Sequence, residues 1–357
     1  MRNKKTEGGN MKRTMSLAIL VAVLQILFIA LACAPAAPAT PVTEPAKQAQ
    51  PVVLKQSLVT PATHLYTTLC QAYNDRIAKA TEGRVKIELY SSSALCPPAD
   101  ELSATRSGSI DSAVTVFSYI TGQIPFFTFA TLPWVSPPNY KDIVPFYQES
   151  LPVVEKAVEK YNVKVLYFIV TPDAYCLDTK KEVRTPADVK GLKIRGSGGA
   201  IDELIQNWGA SVVTLPLSES YTAIQRGIVD GSVNTFPSLA GYKLNEVAPY
   251  ICDLKIGMNG WIVYVNKDKW NLISSADQKT ILDLTPGFVL EMAYANDYVT
   301  NNIRKAFPET GFTAYTPTDA EMVLWKAGVK DIWDNYAKSS PEAKQQVEII
   351  KKYGGGP

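Results

Sequence analysis

Thr185-Pro186-Ala187-Asp188-Val189-Lys190-Gly191-Leu192-Lys193-Ile194-Arg195 is the stretch on which the reading of this chain turns. A threonine suited to capping, a proline at the first helical position and a terminating glycine mark a short helix, and the residues from Leu192 to Arg195 follow it as a strand. Beyond it, Ile201, Leu204, Ile205 and Trp208 fall on one side of a helix. A short strand near Val212 to Leu215 comes next, and then a helix from Ser218 to Arg226 stopped by Gly227. Alternation of strand and helix at this spacing predicts an α/β unit whose sheet is mostly parallel and covered on both faces.

Working outward, the same alternation recurs. Val52-Val53-Leu54 opens as an apolar strand, and Leu65, Leu69, Tyr73 and Ile77 form one stripe of an amphipathic helix closed by Gly83. Arg84 to Tyr90 alternates as a strand with Val85, Ile87 and Leu89 on one face, and Val163 to Val170 reads as a strand buried on both sides. Trp261 to Asn266 is a further strand. Ser275 with Gln278 forms a capping box that opens a long helical stretch, interrupted at Pro286 and running to about Lys305. Thr318 with Glu321 caps the last helical region. These elements predict two sheet-centred domains whose connections cross more than once: 51–172 with 258–300, and 173–257 with 301–350, followed by a flexible tail over 351–357.

The N-terminus concerns location. Lys12 and Arg13 precede an apolar run from about Leu17 to Ala32 that ends in Ile29-Ala30-Leu31-Ala32-Cys33, so residues 1–33 read as an export signal. Cys33 is the candidate lipidation site, although Ala30 stands where bacterial lipoprotein signals usually carry leucine. Met11 is the more natural start of this signal. Residues 34–50 are rich in Ala, Pro and Thr, bury nothing and act as a tether. The body is thus expected outside the cytoplasmic membrane, on its periplasmic or extracellular face, with the anchor as its only membrane contact.

Composition narrows the chemistry. The formal charge of +2 in 357 residues, without long runs of either sign, gives no reason to expect a nucleic-acid partner. One histidine, His64, serves the whole chain, and no nucleophile elbow accompanies it, so Ser/His/Asp and Cys/His catalysis lack support and a His-rich metal site is excluded. No catalytic residue, metal ligand or cofactor is expected. Cys70, Cys96, Cys176 and Cys252 show no C-x-x-C spacing; export permits disulfides, and buried free thiols are an equal alternative. Gly196-Ser197-Gly198-Gly199 lacks the phosphate-loop pattern and reads as a flexible connection whose following helix offers N–H groups to an anion.

Several blocks in order and spacing carry a family resemblance. Residues 185–195, Gly209-Ala210-Ser211 and the run Pro216-Leu217-Ser218-Glu219-Ser220-Tyr221 through Gly231 resemble the substrate-binding proteins of TRAP (tripartite ATP-independent periplasmic) transporters, of the DctP type. Looser matches lie at Glu82-Gly83-Arg84-Val85, Arg106 to Asp111, Leu132-Pro133-Trp134 and Asn266-Lys267. The resemblance implies a periplasmic-binding-protein-like fold. Two domains meet at a hinge, each mostly parallel sheet holds one crossing strand, and a long helix spans both domains. It further implies capture of a small organic acid by hinge closure and delivery to the membrane subunits of a permease.

In that family the arginine ending the G-L-K-I-R strand forks onto the ligand carboxylate, which makes Arg195 the principal candidate here. Asn234 matches the asparagine that hydrogen-bonds the ligand, and Leu217 stands where an aromatic is usual. Ser232-Val233-Asn234 replaces the common Gln-Glu-Asn, so the polar framing of Asn234 is altered. Many relatives carry a second arginine before the first, but the matching Asp173-Ala174-Tyr175-Cys176-Leu177 has no basic residue. The expected ligand is therefore a monocarboxylate, a less polar or aromatic acid meeting Tyr175, Trp134, Phe236, Trp261 or Leu217. Thr60 and His64, before the first helix, complete the candidate site. The binding component of an ATP-driven importer, a lipid-anchored enzyme and a sensor are the alternative readings.

Overall fold

The first strand runs further than its apolar opening. In the computed structural model, which describes residues 50–170 and 175–357, β1 spans Val52–Leu58 and passes through Gln56 and Ser57, both fully buried. A strand tolerates such residues when their polar atoms are paired. Gln56 donates to Ser112 Oγ and accepts from Asn74 Nδ2, while Ser57 Oγ donates to Glu101.

The strands β1, β2 (Val85–Tyr90), β3 (Ser112–Val116) and β4 (Val163–Val170) belong to a first sheet. A second sheet holds β5 (Tyr175–Thr179), β6 (Lys193–Gly196), β7 (Ser211–Thr214), β8 (Gly231–Thr235) and β9 (Tyr250–Ile256). β10 (Gly260–Asn266) returns to the first sheet and β11 (Thr313–Tyr315) to the second, giving the orders β2-β1-β3-β10-β4 and β11-β9-β5-β8-β6-β7. Each sheet has one strand set against the rest: β10 is antiparallel to β3 and β4, and β5 to β8 and β9. The other pairs are parallel. Two crossing strands in mostly parallel sheets are what the sequence led us to expect.

Five helices matter to the site: α1 (Leu65–Ala80), α2 (Tyr140–Val158), α3 (Ala200–Asn207), α4 (Ser275–Thr310) and α5 (Pro341–Lys352). The buried stripe of α1 is Tyr66, Cys70, Tyr73 and Ile77, and Leu65 and Leu69 are only partly covered. The apolar face is thus rotated from the leucine stripe, because the tyrosines find partners inside: Tyr73 Oη bonds Thr285 Oγ1 at 2.9 Å.

α4 runs unbroken for 36 residues, about 54 Å at 1.5 Å per residue. Its cap is Ser274, which accepts from Asp277 N, one residue earlier than the expected Ser275 and Gln278 pair. The expected interruption at Pro286 does not occur. Ile281, Thr285, Phe288, Val289 and Met292 are buried on both sides of it, and that packing outweighs the missing hydrogen bond. The first half of α4 packs on the first sheet's helices, with Phe288 stacked on Tyr73 at 4.4 Å. Its second half belongs to the other lobe, where Arg304 forks onto Asp253 at 2.8 and 2.9 Å.

α5 docks on α2, with Gln346 donating to Ser150 and Tyr353 to Glu149. The tail expected to be flexible is held instead: Lys351 and Lys352 finish α5, Gly355 is buried, and Gly356 N donates to Trp134 O. Cys70, Cys96, Cys176 and Cys252 are all free thiols.

The chain passes between the sheets from β4 to β5 and back from β9 to β10. At the return, Gly260 has φ +138°, and a Cβ there would lie 1.9 Å from Ile169 O of β4. Only glycine lets the crossing backbones approach this closely. Gly260→Ala is expected to destabilise the fold by about 3 kcal/mol, read as a lower urea midpoint.

Glu101 is a second test of the interior. It is fully buried between Ser57 Oγ (2.9 Å) and Thr115 Oγ1 (2.5 Å), and burial pushes its carboxyl up to about 8. The folded state therefore holds this proton more tightly than the unfolded chain does. Its stabilising contribution is complete below the ordinary carboxylate range and is lost as pH rises through about 8. Urea titrations from pH 6 to 9 should show falling stability in the native protein, and Glu101→Gln should flatten that decline.

Candidate functional site

Arg195 lies near the end of β6, one residue before Gly196, and is buried at 3% exposure. Its Nε and Nη2 donate to Leu215 O at 2.8 and 2.6 Å, and Nη1 reaches Val233 O at 3.4 Å. Of five guanidinium N–H groups, these bonds engage three. Among the described residues no carboxylate lies within ion-pair distance of it. A buried cation without a counter-ion is costly, and backbone carbonyls offset only part of that cost.

The guanidinium faces a cavity between the two sheets. Val116, Tyr119, Tyr66, Asn259 and Trp261 line it from the first lobe, and Tyr175, Arg195, Ser197, Leu217, Asn234 and Ser238 from the second. The space amounts to about 30 Å³, room for a single water-sized guest, whereas small-molecule sites usually offer hundreds of Å³. A larger guest requires the lobes to part.

Tyrosines and amides hold the lobes together here. Leu217 N, from the second lobe, donates to Tyr119 Oη of the first at 3.0 Å. Asn259, at the return crossing, donates to Tyr175 Oη at 3.1 Å and to Ser118 Oγ at 3.2 Å, tying both passages between the sheets together. The loop 196–199, expected to be flexible, is a tight lobe-to-lobe contact. Gly198 has φ +99° and a Cβ there would meet Ser118 O at 2.8 Å. The N–H groups at the start of α3 are already engaged, Gly198 N by Asp202 and Ala200 N by Thr131 of the other lobe.

Beneath Asn234 lies a buried polar chain. Asn234 Nδ2 donates to Ser232 Oγ at 2.8 Å, and Ser232 Oγ donates to both oxygens of Asp178 at 2.7 and 2.8 Å. Ser232 therefore supplies the framing that its departure from the usual Gln-Glu-Asn had put in question. Burial pushes the Asp178 carboxyl up to about 7, against the pull of the serine and of Arg195.

Of the residues foreseen from sequence, Tyr175, Arg195, Leu217, Asn234 and Trp261 surround this cavity. His64 stands beside it: its Nδ1 accepts from Tyr66 N, its ring lies 6.5 Å from that of Tyr242, and burial lowers its pKa to about 4, keeping it neutral. Thr60 is buried against Thr67 at 2.7 Å and does not line the cavity. Phe236 turns into the second lobe's core with Arg304 over its ring at 4.7 Å. Trp134 packs under Lys326 at 4.7 Å, away from the cleft. Aromatic identity alone does not encode which way a ring faces, so these two were indistinguishable from Trp261 in the sequence. Tyr66, Tyr119, Ser197, Ser238, Asn259, Tyr242 and Asp178 were missed. Tyr66 carried a signal, since it sits one step along the helix from the leucine stripe.

Asp173 and Ala174, which open the stretch where a second clamp would stand, and Cys33 lie outside the described residues. Among the described residues no cluster of three or more His, Cys, Asp or Glu side chains is placed to hold a metal, and no helix is long and apolar enough to cross a membrane.

Comparison with known proteins agrees with this architecture. The chain is 25% identical over 304 residues to the C4-dicarboxylate-binding periplasmic protein DctP of Rhodobacter capsulatus, covering 81% of this chain and 88% of that protein. Its fold is similar to DctP7, a Bordetella pertussis extracytoplasmic solute receptor binding pyroglutamic acid, at a TM-score of 0.78 and 16% identity over 84% of this chain and 99% of that one. It is also similar to a TRAP periplasmic solute-binding protein of Chromohalobacter salexigens with bound D-glucuronate, at a TM-score of 0.75 and 23% identity over 84% and 99%. The model of the bacterial extracellular solute-binding proteins, family 7 (DctP), matches residues 56–339, and the chain belongs to that family.

Proposed function

We propose that this protein is the extracytoplasmic receptor of a TRAP-type secondary transporter and that it captures a small organic acid at Arg195 before delivering it to the membrane permease. The observation that carries this reading is the guanidinium buried in the interlobe cleft, with no carboxylate within ion-pair distance among the described residues. An arriving carboxylate completes the ion pair through two parallel hydrogen bonds, and its binding compensates a charge already desolvated.

Among the described residues that line the cavity Arg195 is the single charged side chain, which favours a monocarboxylate. The remaining surroundings, Trp261 with Tyr66 and Tyr175, suit an aromatic or otherwise uncharged remainder carrying a few polar atoms. Among solved receptors of similar fold, DctP7 and the Chromohalobacter salexigens protein bind pyroglutamic acid and D-glucuronate, each with one carboxylate. Ligand bridging both lobes stabilises the closed form by its differential affinity for it, with the return passage at 256–260 as part of the hinge. The lobe carrying the first sheet moves with α5 docked upon it. A lipid on Cys33 and the tether 34–50 hold the receptor at the outer face of the cytoplasmic membrane.

A thermal-shift screen of organic acids tests this, with calorimetry on the acids that raise the melting temperature. Monocarboxylates should stabilise the native protein. Arg195→Ala should weaken their binding by about 30-fold to several thousand-fold, and Arg195→Lys by at least about tenfold, since a point charge cannot replace the fork. A bound acid whose affinity is unchanged in Arg195→Ala would overturn the assignment.

A further inference from the structure

The chain of hydrogen bonds under Asn234 has a direction. An ionised Asp178 only accepts, so the single Ser232 proton is committed to it, at 2.7 and 2.8 Å. The serine oxygen can then only accept from its other neighbour, and it does so from Asn234 Nδ2 at 2.8 Å. With its amide nitrogen turned inward, Asn234 leaves its carbonyl oxygen for the cavity it lines. Arg195 pairs in register with Ser232, and Ser232 with Asp178, so the three stand in one row across β6, β8 and β5. Asn234 is two residues further along β8 on the same face, about 7 Å nearer the strand end. A carboxylate held by Arg195 therefore presents its adjoining substituent to an acceptor.

We propose that Asp178 and Ser232 are positioning residues that hold Asn234 as a hydrogen-bond acceptor, and that the site consequently selects acids bearing a hydroxyl or N–H donor beside the carboxylate over the matching 2-oxo acids. The proposal rests on acid capture at Arg195. A keto oxygen placed against the Asn234 oxygen makes no bond and leaves two acceptors facing each other in a dry cleft. The ionisable groups near Asp178 are Arg195 from β6 and Cys176 on its own strand, with Asp253 of β9 and its partner Arg304 of α4 further along, where all but Arg195 act on the Cys176 thiol. Arg195 favours the ionised form on which the direction of the chain depends.

The test uses calorimetry at pH 8, above the value near 7 to which burial raises Asp178. The probes are matched pairs differing only at the second carbon: lactate and pyruvate, 2-hydroxyisocaproate and 2-oxoisocaproate, mandelate and phenylglyoxylate, with both enantiomers of each hydroxy acid. In the native protein the better hydroxy enantiomer of at least one pair should bind about tenfold or more tightly than its oxo partner. Ser232→Ala frees the amide to turn and should bring that ratio to within about threefold, while binding still requires Arg195. Because Ser232→Ala also strips Asp178 of a partner, the double variant Ser232→Ala/Asp178→Asn, which removes the buried charge as well, should show the same loss of preference. Equal or tighter binding of the oxo acids by the native protein, a ratio unchanged in both variants, or no binding of any pair would overturn the proposal. Stabilisation by any other carboxylate that is abolished by Arg195→Ala would leave acid capture standing in each of those cases. Tight binding that survives Arg195→Ala would instead remove the reading beneath it.

Discussion

A buried positive charge with no negative partner among the described residues is the constraint around which this molecule is organised. Arg195 is nearly inaccessible, and its hydrogen bonds go to two backbone carbonyls. For a guanidinium to rest there, the strand that carries it must be locked. β6 is paired on both sides, and the following loop is pressed so closely against the other lobe that Gly198 has no room for a side chain. Both sheets, both crossings and the helix that follows serve to keep one cation in a place that water does not reach.

The same economy explains why the surroundings are tyrosines and amides. A second fixed charge would either quench the first or repel it, whereas hydroxyl and amide groups lend directional bonds without net charge. Tyr119 and Tyr175 already bond across the lobes, to Leu217 N and Asn259, so the contacts that close the cleft are made by the residues that line it. Closure and recognition are therefore not separable functions of separate residues here. Among the described residues Asp178 is the anion nearest in the sheet, separated from Arg195 by Ser232 on the strand between them.

Much of this was legible in the residues themselves. The capped helix over 185–191 and the strand behind it are local decisions, made by Thr185, Pro186 and Gly191, and the structure keeps them almost residue for residue. Arg195, Asn234, Leu217, Tyr175 and Trp261 line one cavity. What failed was long-range. The helix α4 passes straight through Pro286 because side chains from elsewhere in the chain grip it on both sides, and no local rule contains that information. Phe236 and Trp134 point away from the cleft for the same reason; Asn259 joins it because the chain crosses between the sheets there, and Tyr119 reaches it from the helical turn that follows β3. Thr60 is spent on Thr67, a pairing across a turn that propensity does not reveal.

α4 has a mechanical meaning. It is one continuous rod fastened to both lobes, by Arg76 to Glu291 near its middle and by Arg304 to Asp253 towards its C-terminal end. Bodies joined in this way cannot swing apart as a free clam does: the rod must flex, or one fastening must slip. The stretch between Glu291 and Arg304 carries that strain, so part of the work of gaping is stored as curvature in the rod and is returned as recoil when the jaws shut.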